Sequence, residues 1–476
     1  MNHLLLDRST GTLSPRAFAR IQTAQRVYTI QPTPSLRFNG GEREAPPPHD
    51  TTGWSEELQA ENKPNEVKVW AHQSGVNALA IDRFEGRTLI SGGADASIRL
   101  WNLDEFGKTN TTTGEHTYEP VTVVPKTTSS HKFGITHISF YPFDSLAFLS
   151  SSYDHTLKLH STVSPTIPSA SFDLSYIIYN HALSPIASHL LVACATQHPA
   201  VRLVDLRSGS ATHSLAGHTG AVLAVEWSPT VEHILASGGI DGTVRLWDVR
   251  KSSAAVGVLD MEDSTGVDVA GTRKVRPANM DATRGSAKAH TGAVNGISWT
   301  DDGYCLITAG HDSRIRVWDA STGANTLASF GPTLKNTQLS HLPLLVAPTS
   351  LTPADQNLLF YPNERELLMF ELHDGRLVKR LRVPGQDVSV VRSRTGERNI
   401  KSRITGLAWR NPCEGIYSAH SDGCIRAWLP RMDGEGEDED EVGEEKNEEE
   451  NERLKRKRKV LDDVYRDLTR QKITFG

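Results

Sequence analysis

Residues 217–250 read GHTGAVLAVEWSPTVEHILASGGIDGTVRLWDVR. The stretch contains three short β-rich runs separated by Pro, Gly and Asp residues that favour turns, which are residues 221–227, 234–237 and 243–247. Because successive side chains of a strand point to opposite faces, Ser237 can face the interior beside Asp241 and Trp247. The stretch therefore predicts a small sheet held together by a hydrogen-bond network of His218, Ser237, Asp241 and Trp247.

The same pattern recurs along the chain in a fixed register. In four repeats a His precedes an Asp by 22 or 23 residues, and a Trp, or once a His, follows that Asp by six. These sets are His72, Asp95 and Trp101; His131, Asp154 and His160; His218, Asp241 and Trp247; and His290, Asp312 and Trp318. A Ser or Thr lies four residues before each Asp, namely Ser91, Ser150, Ser237 and Thr308, and a partial set of Ser418, Asp422 and Trp428 follows. Chance does not maintain such a register, so the chain is an array of repeats.

Two more repeats are inferred from spacing alone. They are residues 190–206, with His198 and Val204 in the Asp and Trp positions, and residues 342–372, with Glu364 and Phe370 in those positions. Seven repeats of about 40–45 residues, together with loop insertions between them, then account for the region 66–430. Eight repeats are the nearest alternative.

The repeats resemble WD40 repeats, which are the four-stranded blades of a β-propeller. The resemblance implies an all-β fold with seven blades, in which the shared His, Ser or Thr, Asp and Trp residues are structural. Residues 27–30 alternate like the N-terminal strand that closes such a ring. We predict four segments: an arm with the closing strand (1–30), a disordered insertion (31–65), the propeller (66–430, with loop insertions at 251–286 and 384–403), and an acidic run, a basic cluster and a short helix (431–476).

Charge is unevenly distributed along the chain. Residues 433–452 contain 13 acidic residues and one lysine, a net charge of −12, so the remainder carries +6 of the total −6. A mildly basic body with an acidic tail is compatible with large polyanionic neighbours but does not demonstrate nucleic-acid binding. Four scattered cysteines without a C-x-x-C pair indicate a reducing compartment, and no apolar run is long enough to span a membrane.

No catalytic motif is separate from the repeat register. The sequence contains neither a P-loop nor an H-E-x-x-H motif, and each conspicuous His, Asp or Ser has a structural position in a repeat. We therefore predict that the protein is not an enzyme and needs no metal or cofactor. The basic run Lys455, Arg456, Lys457, Arg458 and Lys459 favours nuclear import and a nuclear location, although a solvated helix face is the alternative.

Two features indicate a docking surface. Arg250 follows the Trp247–Asp248 pair, at the rim opposite the His–Asp turns, where a guanidinium can contact carboxylates or carbonyls of a partner. Asp205 and Arg207 end the preceding repeat in a related way. The alternative is an exposed turn arginine, or one paired with Asp248 inside the blade.

The N-terminal arm is the second feature. Residues 1–29 predict two short helices, the second capped by Ser14 with Pro15 in its first position. Because blades are sheets, this helical pair must pack on the propeller or on a partner. Its candidate anchors are apolar and are Leu4, Leu5, Leu6, Phe18 and Ile21.

The Trp-Asp-x-Arg motif and the arm resemble those of WD40 substrate receptors that dock on damaged-DNA-binding protein 1, the adaptor of cullin 4 ubiquitin ligases. Among these, the chain resembles the Cockayne syndrome A family in stretches that include SGGAD (91–95), YDHTLK (153–158), HALSP (181–185), LAVEWSP (223–229) and LWDVR (246–250). The resemblance implies a substrate-recognition subunit in transcription-coupled nucleotide excision repair. It also implies that a repair ATPase and RNA polymerase II are substrates and that arm and rim bind the adaptor. We expect no direct nucleic-acid contact. The insertions and the charged tail depart from the family.

Two other functions stay open at this point. One is a general WD40 scaffold in a chromatin or ribosome-assembly complex without a ligase role. The other is direct DNA binding through the basic residues between 392 and 403 and the basic tail, with an affinity that falls steeply with salt.

Overall fold

The structure is a computed structural model of the chain. It describes residues 2–41, 70–105, 108–110, 115–251, 255–262, 287–349, 352, 357–383, 391–392, 398–399, 403–411 and 414–431. The described residues lie almost entirely in the first of two units of the chain, 1–430 and 431–476.

Two helices form the N-terminal arm, α1 (Asn2–Ser9) and α2 (Pro15–Tyr28). Ser14 caps α2, because its hydroxyl accepts a hydrogen bond from the amide of Ala17 at 3.2 Å. Proline at the first helical position loses no hydrogen bond, since that amide would have no partner within the helix. These local signals explain why the sequence predicts the start of α2 correctly.

Seven sheets make up the propeller, and each is one blade. Blades 1 to 3 consist of β3 (Val76–Ile81), β4 (Thr88–Gly93), β5 (Ile98–Asn102) and β8 (Pro120–Val124); β9 (Ile135–Phe140), β10 (Ala147–Ser152), β11 (Thr156–Ser161) and β12 (Ala170–Asp173); and β13 (Ile178–Leu183), β14 (Leu191–Thr196), β15 (Ala200–Asp205) and β16 (Ser210–Ala216). Blades 4 and 5 consist of β17 (Val222–Trp227), β18 (Ile234–Gly239), β19 (Val244–Asp248) and β20 (Ala255–Val258); and β21 (Val294–Trp299), β22 (Cys305–Gly310) and β23 (Arg314–Asp319). Blades 6 and 7 consist of β24 (Leu345–Val346), β25 (Leu358–Asn363), β26 (Glu366–Glu371) and β27 (Leu377–Leu381); and β30 (Ile404–Asn411), β31 (Gly415–His420), β32 (Ile425–Pro430) and β1 (Ile30–Thr33). The predicted all-β, seven-bladed fold is confirmed.

The ring is closed by β1, which pairs antiparallel with β32 as the outermost strand of blade 7. A closing strand was predicted, but its predicted position at residues 27–30 is wrong, because α2 continues to Tyr28. Val27 and Ile30 are both fully buried, in a cluster with Phe360 of blade 6 and Trp428 of blade 7. The helix end is therefore held by packing between two blades rather than by its own sequence.

The prediction of a disordered insertion over residues 31–65 is wrong for residues 31–41. After β1 the chain forms β2 (Leu36–Phe38), which pairs in parallel with β7 (Glu115–Tyr118). A third strand, β6 (Lys108–Asn110), completes this small sheet. Phe38 stacks on Tyr118 with ring centroids 4.8 Å apart, so this segment contributes to the core. Residues 42–65 lie outside the described residues.

Both predicted loop insertions contain strands. Residues 255–258 form β20, the outermost strand of blade 4, and therefore belong to the blade and not to the loop 251–286. Within 384–403, β28 (Val391–Arg392) pairs with β29 (Arg398–Asn399). The remaining residues of 252–286 and 384–403 fall largely outside the described part of the chain.

The same backbone contact joins neighbouring blades at two places in the ring, where a glycine carbonyl of one blade accepts hydrogen bonds from two amides of the next. The carbonyl of Gly242 in blade 4 accepts hydrogen bonds from the amides of Ala289 and His290, which lead into blade 5. At the closing seam, the carbonyl of Gly423 accepts from Ala71 and His72. Both glycines have a positive φ, and a Cβ would approach the next blade's backbone within 2.5 to 2.8 Å, so these two positions require glycine.

Candidate docking face

The four-residue network of blade 4 is present in the structure. The Ser237 hydroxyl lies 2.7 Å from His218 Nε2 and accepts a hydrogen bond from Trp247 Nε1, also at 2.7 Å. His218 Nδ1 lies 3.2 Å from Asp241 Oδ1. Burial opposes ionisation of the Asp241 carboxyl, but hydrogen bonds from His218 and the backbone outweigh it, so the pKa of Asp241 is well below its usual value. These residues are therefore engaged in holding the blade together.

The other blades contain the network in complete or altered form. In blade 5 the same bonds join His290, Thr308, Asp312 and Trp318, at 2.8 to 2.9 Å. Blade 1 is similar through His72, Ser91, Asp95 and Trp101, and blade 2 through His131, Ser150 and Asp154, with His160 in the Trp position. In blade 7, Ser418 accepts from Trp428 and also lies 2.8 Å from His420, a histidine that the spacing did not identify, while Asp422 caps the adjoining turn.

The strand register defines the two faces of the ring. In blade 4, Val222 pairs with Gly239 beside His218 and Asp241, whereas Trp227 pairs with Leu235 at the other end. Arg250 follows Asp248, which pairs with Ile234, and therefore lies at that other end. We call the face with the His and Asp residues the His–Asp face and the opposite one the docking face.

The arm joins the propeller at the docking face. In blade 7, Ala419 pairs with Ile425 at the His–Asp face, and Ile30 pairs with Pro430 at the opposite end of β32. Since α2 ends at Tyr28, two residues before β1, the arm leads into the ring at the face that carries Arg250.

Arg250 forms a bidentate ion pair within its own turn and stays accessible. Its Nε and Nη2 donate to the two Asp248 oxygens at 3.0 and 2.9 Å, and this hydrogen bonding lowers the pKa of Asp248 to about 2. The Arg250 side chain is nevertheless 62% exposed, while that of Asp248 is 5% exposed. The sequence left a choice between a partner contact and this pairing. The pairing with Asp248 is the one observed, and it leaves the outer edge of the Arg250 guanidinium facing solvent.

Arg207 occupies the corresponding position in blade 3. It follows β15 at the docking face, it is exposed, and its amide donates to Asp205 Oδ1 at 2.9 Å. This hydrogen bond lowers the pKa of Asp205. Two adjacent blades therefore present arginines on one face, each next to an aspartate.

The predicted arm anchors differ in accessibility. Leu6 is 60% exposed and Ile21 is half-buried, so both can contact a partner. Phe18 is 4% exposed and lies under the guanidinium of Arg8, 4.8 Å from the ring centroid. The assignment of Phe18 as a free anchor is wrong, because this ring packs within the chain. The side chains of Leu4 and Leu5 lie outside what the structure describes.

Exposed apolar loop residues are a feature of the docking face that sequence reasoning missed. They follow the first strand or the third strand of five blades and are Phe84, Phe143, Leu146, Val163, Ile167, Ile186, Val231 and Tyr304, with exposed fractions of 46 to 79%. These side chains give the docking face accessible apolar area that a partner protein can bury. Phe143 and Ile186 each follow a proline at equivalent repeat positions, a signal that aligning the repeats would have revealed.

Among the described residues, no group of three or more His, Cys, Asp or Glu side chains is placed to hold a metal ion. No helix in the described part of the chain is long and apolar enough to cross a membrane. The predicted nuclear-import residues, Lys455 to Lys459, lie outside the described residues.

The fold and the repeated network define the class of the chain, which is a WD40-repeat protein. A family model for the WD domain, G-beta repeat, matches residues 64–102, 123–161, 209–248 and 283–319. These are the repeats with a complete His–Asp pair; blade 7 was predicted from the partial set of Ser418, Asp422 and Trp428, and blades 3 and 6 from spacing alone.

Two groups of known proteins are similar to this chain. It is 29% identical to WD repeat-containing protein ATCSA-1 of Arabidopsis thaliana, over 91% of this chain and 95% of that protein. It is 26% identical to ribosome biogenesis protein ytm1 of Neurospora crassa, over 56% of this chain and 58% of that protein, and 27% identical to its namesake from Podospora anserina, over 54% and 56%. The first similarity extends over more of the chain than the propeller alone.

Proposed function

We propose that this chain is a non-catalytic substrate-recognition subunit of a cullin 4-type ubiquitin ligase that acts in transcription-coupled nucleotide excision repair. It would dock on a damaged-DNA-binding protein 1-type adaptor and hold a repair ATPase, RNA polymerase II or both near the ligase. Its contribution is tethering, which raises the effective concentration of substrate lysines at the recruited enzyme. The proposal places the protein in the nucleus.

One observation carries the proposal. The arm leads into the ring at the same face on which Arg250 and Arg207 project, so arm and rim can contact one partner together. The exposed loop residues of that face add apolar area to it. The near full-length similarity to ATCSA-1 supports the same function.

The test is recovery of the adaptor with tagged full-length protein from cells. Arg250→Ala removes the oriented guanidinium, and Leu6→Glu places a charge on the exposed arm, so each is expected to reduce adaptor recovery at least tenfold. Arg314→Ala and Ile240→Glu are the matched controls, because they make the same chemical changes at exposed positions on the His–Asp face. Equal recovery with all five proteins, or none with the wild type, would contradict the proposal.

A second candidate is a scaffold in ribosome biogenesis without a ligase role, which the similarity to the two fungal proteins favours. It predicts co-sedimentation of the wild type with pre-ribosomal particles and no effect of Arg250→Ala on adaptor recovery. Sedimentation of the same cell extracts therefore distinguishes the two candidates.

A further inference from the structure

The centre of the ring contains a cavity of about 380 Å³. It is lined by the first strands of six blades and by residues 340–344 ahead of β24. The volume is within the range of ligand pockets in proteins. Three side chains that can donate hydrogen bonds line it at the His–Asp face, Tyr153, Tyr179 and Arg403.

The backbone of Arg403 fixes this residue at the His–Asp face. Its amide donates to the Ser421 hydroxyl at 2.9 Å, and its carbonyl accepts from the Ser421 amide at 2.8 Å. Ser421 directly precedes Asp422, the residue in the Asp position of blade 7. The Arg403 side chain is half-buried and lines the cavity. The fold therefore holds a guanidinium at the mouth of the channel through bonds that leave its nitrogens unused.

Two tyrosines lie at the same mouth. Tyr153 directly precedes Asp154 in blade 2 and is 42% exposed. Tyr179 is the extra residue of a β-bulge in β13, directly after Ile178. Ile178 pairs with Thr196, where β14 ends and the turn into β15 lies on the His–Asp face. The register of two neighbouring blades thus brings both phenol rings to the entrance of the cavity.

The three donors neighbour one another and have no partner within the described part of the chain. Burial raises the pKa of Tyr179, and Tyr153 adds to this rise. Tyr153 also opposes the fall in the pKa of Arg403 that burial causes, so it lies close to both groups. Neither hydroxyl nor the guanidinium forms a hydrogen bond or an ion pair with a described residue. By contrast, the bulge residue of blade 1, Asn77, donates to the Ile135 carbonyl at 2.9 Å.

The acidic residue of the chain that acts on Arg403 does not neutralise it. Glu364 opposes the fall in the pKa of Arg403, but its carboxylate lies 3.6 Å from Lys335 Nζ and does not line the cavity. Because burial still lowers the pKa of Arg403, the cation is less stable there than in water. An anion that enters the mouth of the channel would offset this cost.

The rest of the cavity lining does not repel an anion near pH 7. Glu226 lies towards the docking-face end of β17, and burial raises the pKa of its carboxyl to about 8, so this group is mostly protonated. Burial lowers the pKa of His181 to about 3, that of His341 to about 4 and that of His137 as well, so these rings are neutral. Among the described residues that line the cavity, Arg403 therefore carries the charge.

We propose that the mouth of the central channel binds one acidic side chain of a partner protein, either a carboxylate or a phosphorylated serine or threonine. The Arg403 guanidinium donates parallel hydrogen bonds to two oxygens of this group. The hydroxyls of Tyr153 and Tyr179 donate to its remaining lone pairs. The site goes beyond the proposed ligase role, because it opens on the face opposite the docking face.

The test is isothermal titration calorimetry of the full-length protein near pH 7 with acetylated and amidated peptides, Gly-Ala-Gly-X-Gly-Ala-Gly, in which X is Glu, phosphoserine or Gln. The capped ends remove every charge except that of X. At least one of the two charged peptides should bind about tenfold or more tightly than the Gln peptide, since Gln is nearly isosteric with Glu but neutral. The tighter of the charged peptides then identifies the group as a carboxylate or a phosphate.

Variants of the mouth complete the test. Arg403→Gln should weaken binding of the charged peptide by about tenfold or more, and it should fold, because the backbone bonds to Ser421 remain. Tyr179→Phe removes one hydroxyl and keeps the ring, so it should weaken binding roughly threefold to tenfold. Arg314→Gln is the matched control, because it removes the same charge from an exposed position on the same face that does not line the cavity.

Circular dichroism melting of each variant shows that the fold is kept. Equal binding of the Gln peptide, wild-type affinity of a folded Arg403→Gln protein, or no saturable binding at millimolar peptide would overturn the proposal. An equal loss with Arg314→Gln would also overturn it, because the peptide would then respond only to the general charge of the face.

Discussion

At the scale of single residues, the Ser237 hydroxyl is the junction between a buried His and a buried Trp in blade 4. Ser237→Ala leaves both ring nitrogens without this partner, so we expect the free energy of unfolding to fall by about 2–4 kcal/mol. Thr308 makes the same bonds in blade 5, which makes Ser237→Thr the matched control. Urea unfolding followed by tryptophan fluorescence measures the difference. Equal stability of the Ala and Thr variants would show that the network contributes little.

His181 gives the stability of the fold a dependence on pH. Its folded pKa is about 3, below the unfolded value of about 6.5, so the stabilisation is present above pH 6.5 and is lost as the pH falls towards 3. His181→Gln should reduce the loss between about pH 6.5 and pH 4 by on the order of 1–3 kcal/mol. His213→Gln, at an exposed position, is the control, and an unchanged pH profile for His181→Gln would contradict the prediction.

Individual residues differ in how far the sequence could predict them. The His, Asp and Trp residues of the blades were predictable because their spacing is repeated, and so was Arg250 at its rim. The placement of Tyr153 and Arg403 at one cavity was not, because they are distant in sequence and only the closed ring brings them together. Phe18 was assigned wrongly, because helical periodicity identifies an apolar face without showing what covers it.

At the scale of elements, β1 determines whether the ring is closed. Removal of residues 2–33 exposes the edge of β32 and deletes the buried Val27 and Ile30. We expect the melting temperature measured by circular dichroism to fall by roughly 10 °C or more. Removal of residues 2–13, which takes away α1 but keeps α2 and β1, is the control and should change it by only a few degrees, about 1–4 °C. A similar melting temperature for both deletions would show that β1 does not close the ring.

The sequence could not predict where β1 and β2 begin and end, because contacts with distant parts of the chain determine these strands. Pro32 and Pro34 indicate a loop by composition, but β1 is an outermost strand, where a missing amide can be tolerated on the unpaired side. Val27 was assigned to a strand from local alternation, whereas contacts with two blades keep it helical. Tertiary packing therefore decided both elements.

At the scale of the whole molecule, the ring separates two surfaces. The docking face carries the arm connection, the arginines and the apolar loops, and the His–Asp face carries the mouth of the central channel. A subunit bound through one face keeps the other open, which suits a protein that joins a partner to an enzyme complex. The number of blades followed from the sequence, but this separation of surfaces required the strand register.

The central claim is that the arm and Arg250 form one dock, and the affinity of the purified adaptor for wild-type, Arg250→Ala, Leu6→Glu and doubly substituted protein tests it most directly. The account predicts at least a tenfold loss of affinity for each single variant, a further loss for the double variant, and wild-type affinity for Arg314→Ala and Ile240→Glu. Wild-type affinity of either docking-face variant, or a comparable loss in the His–Asp face controls, would contradict it.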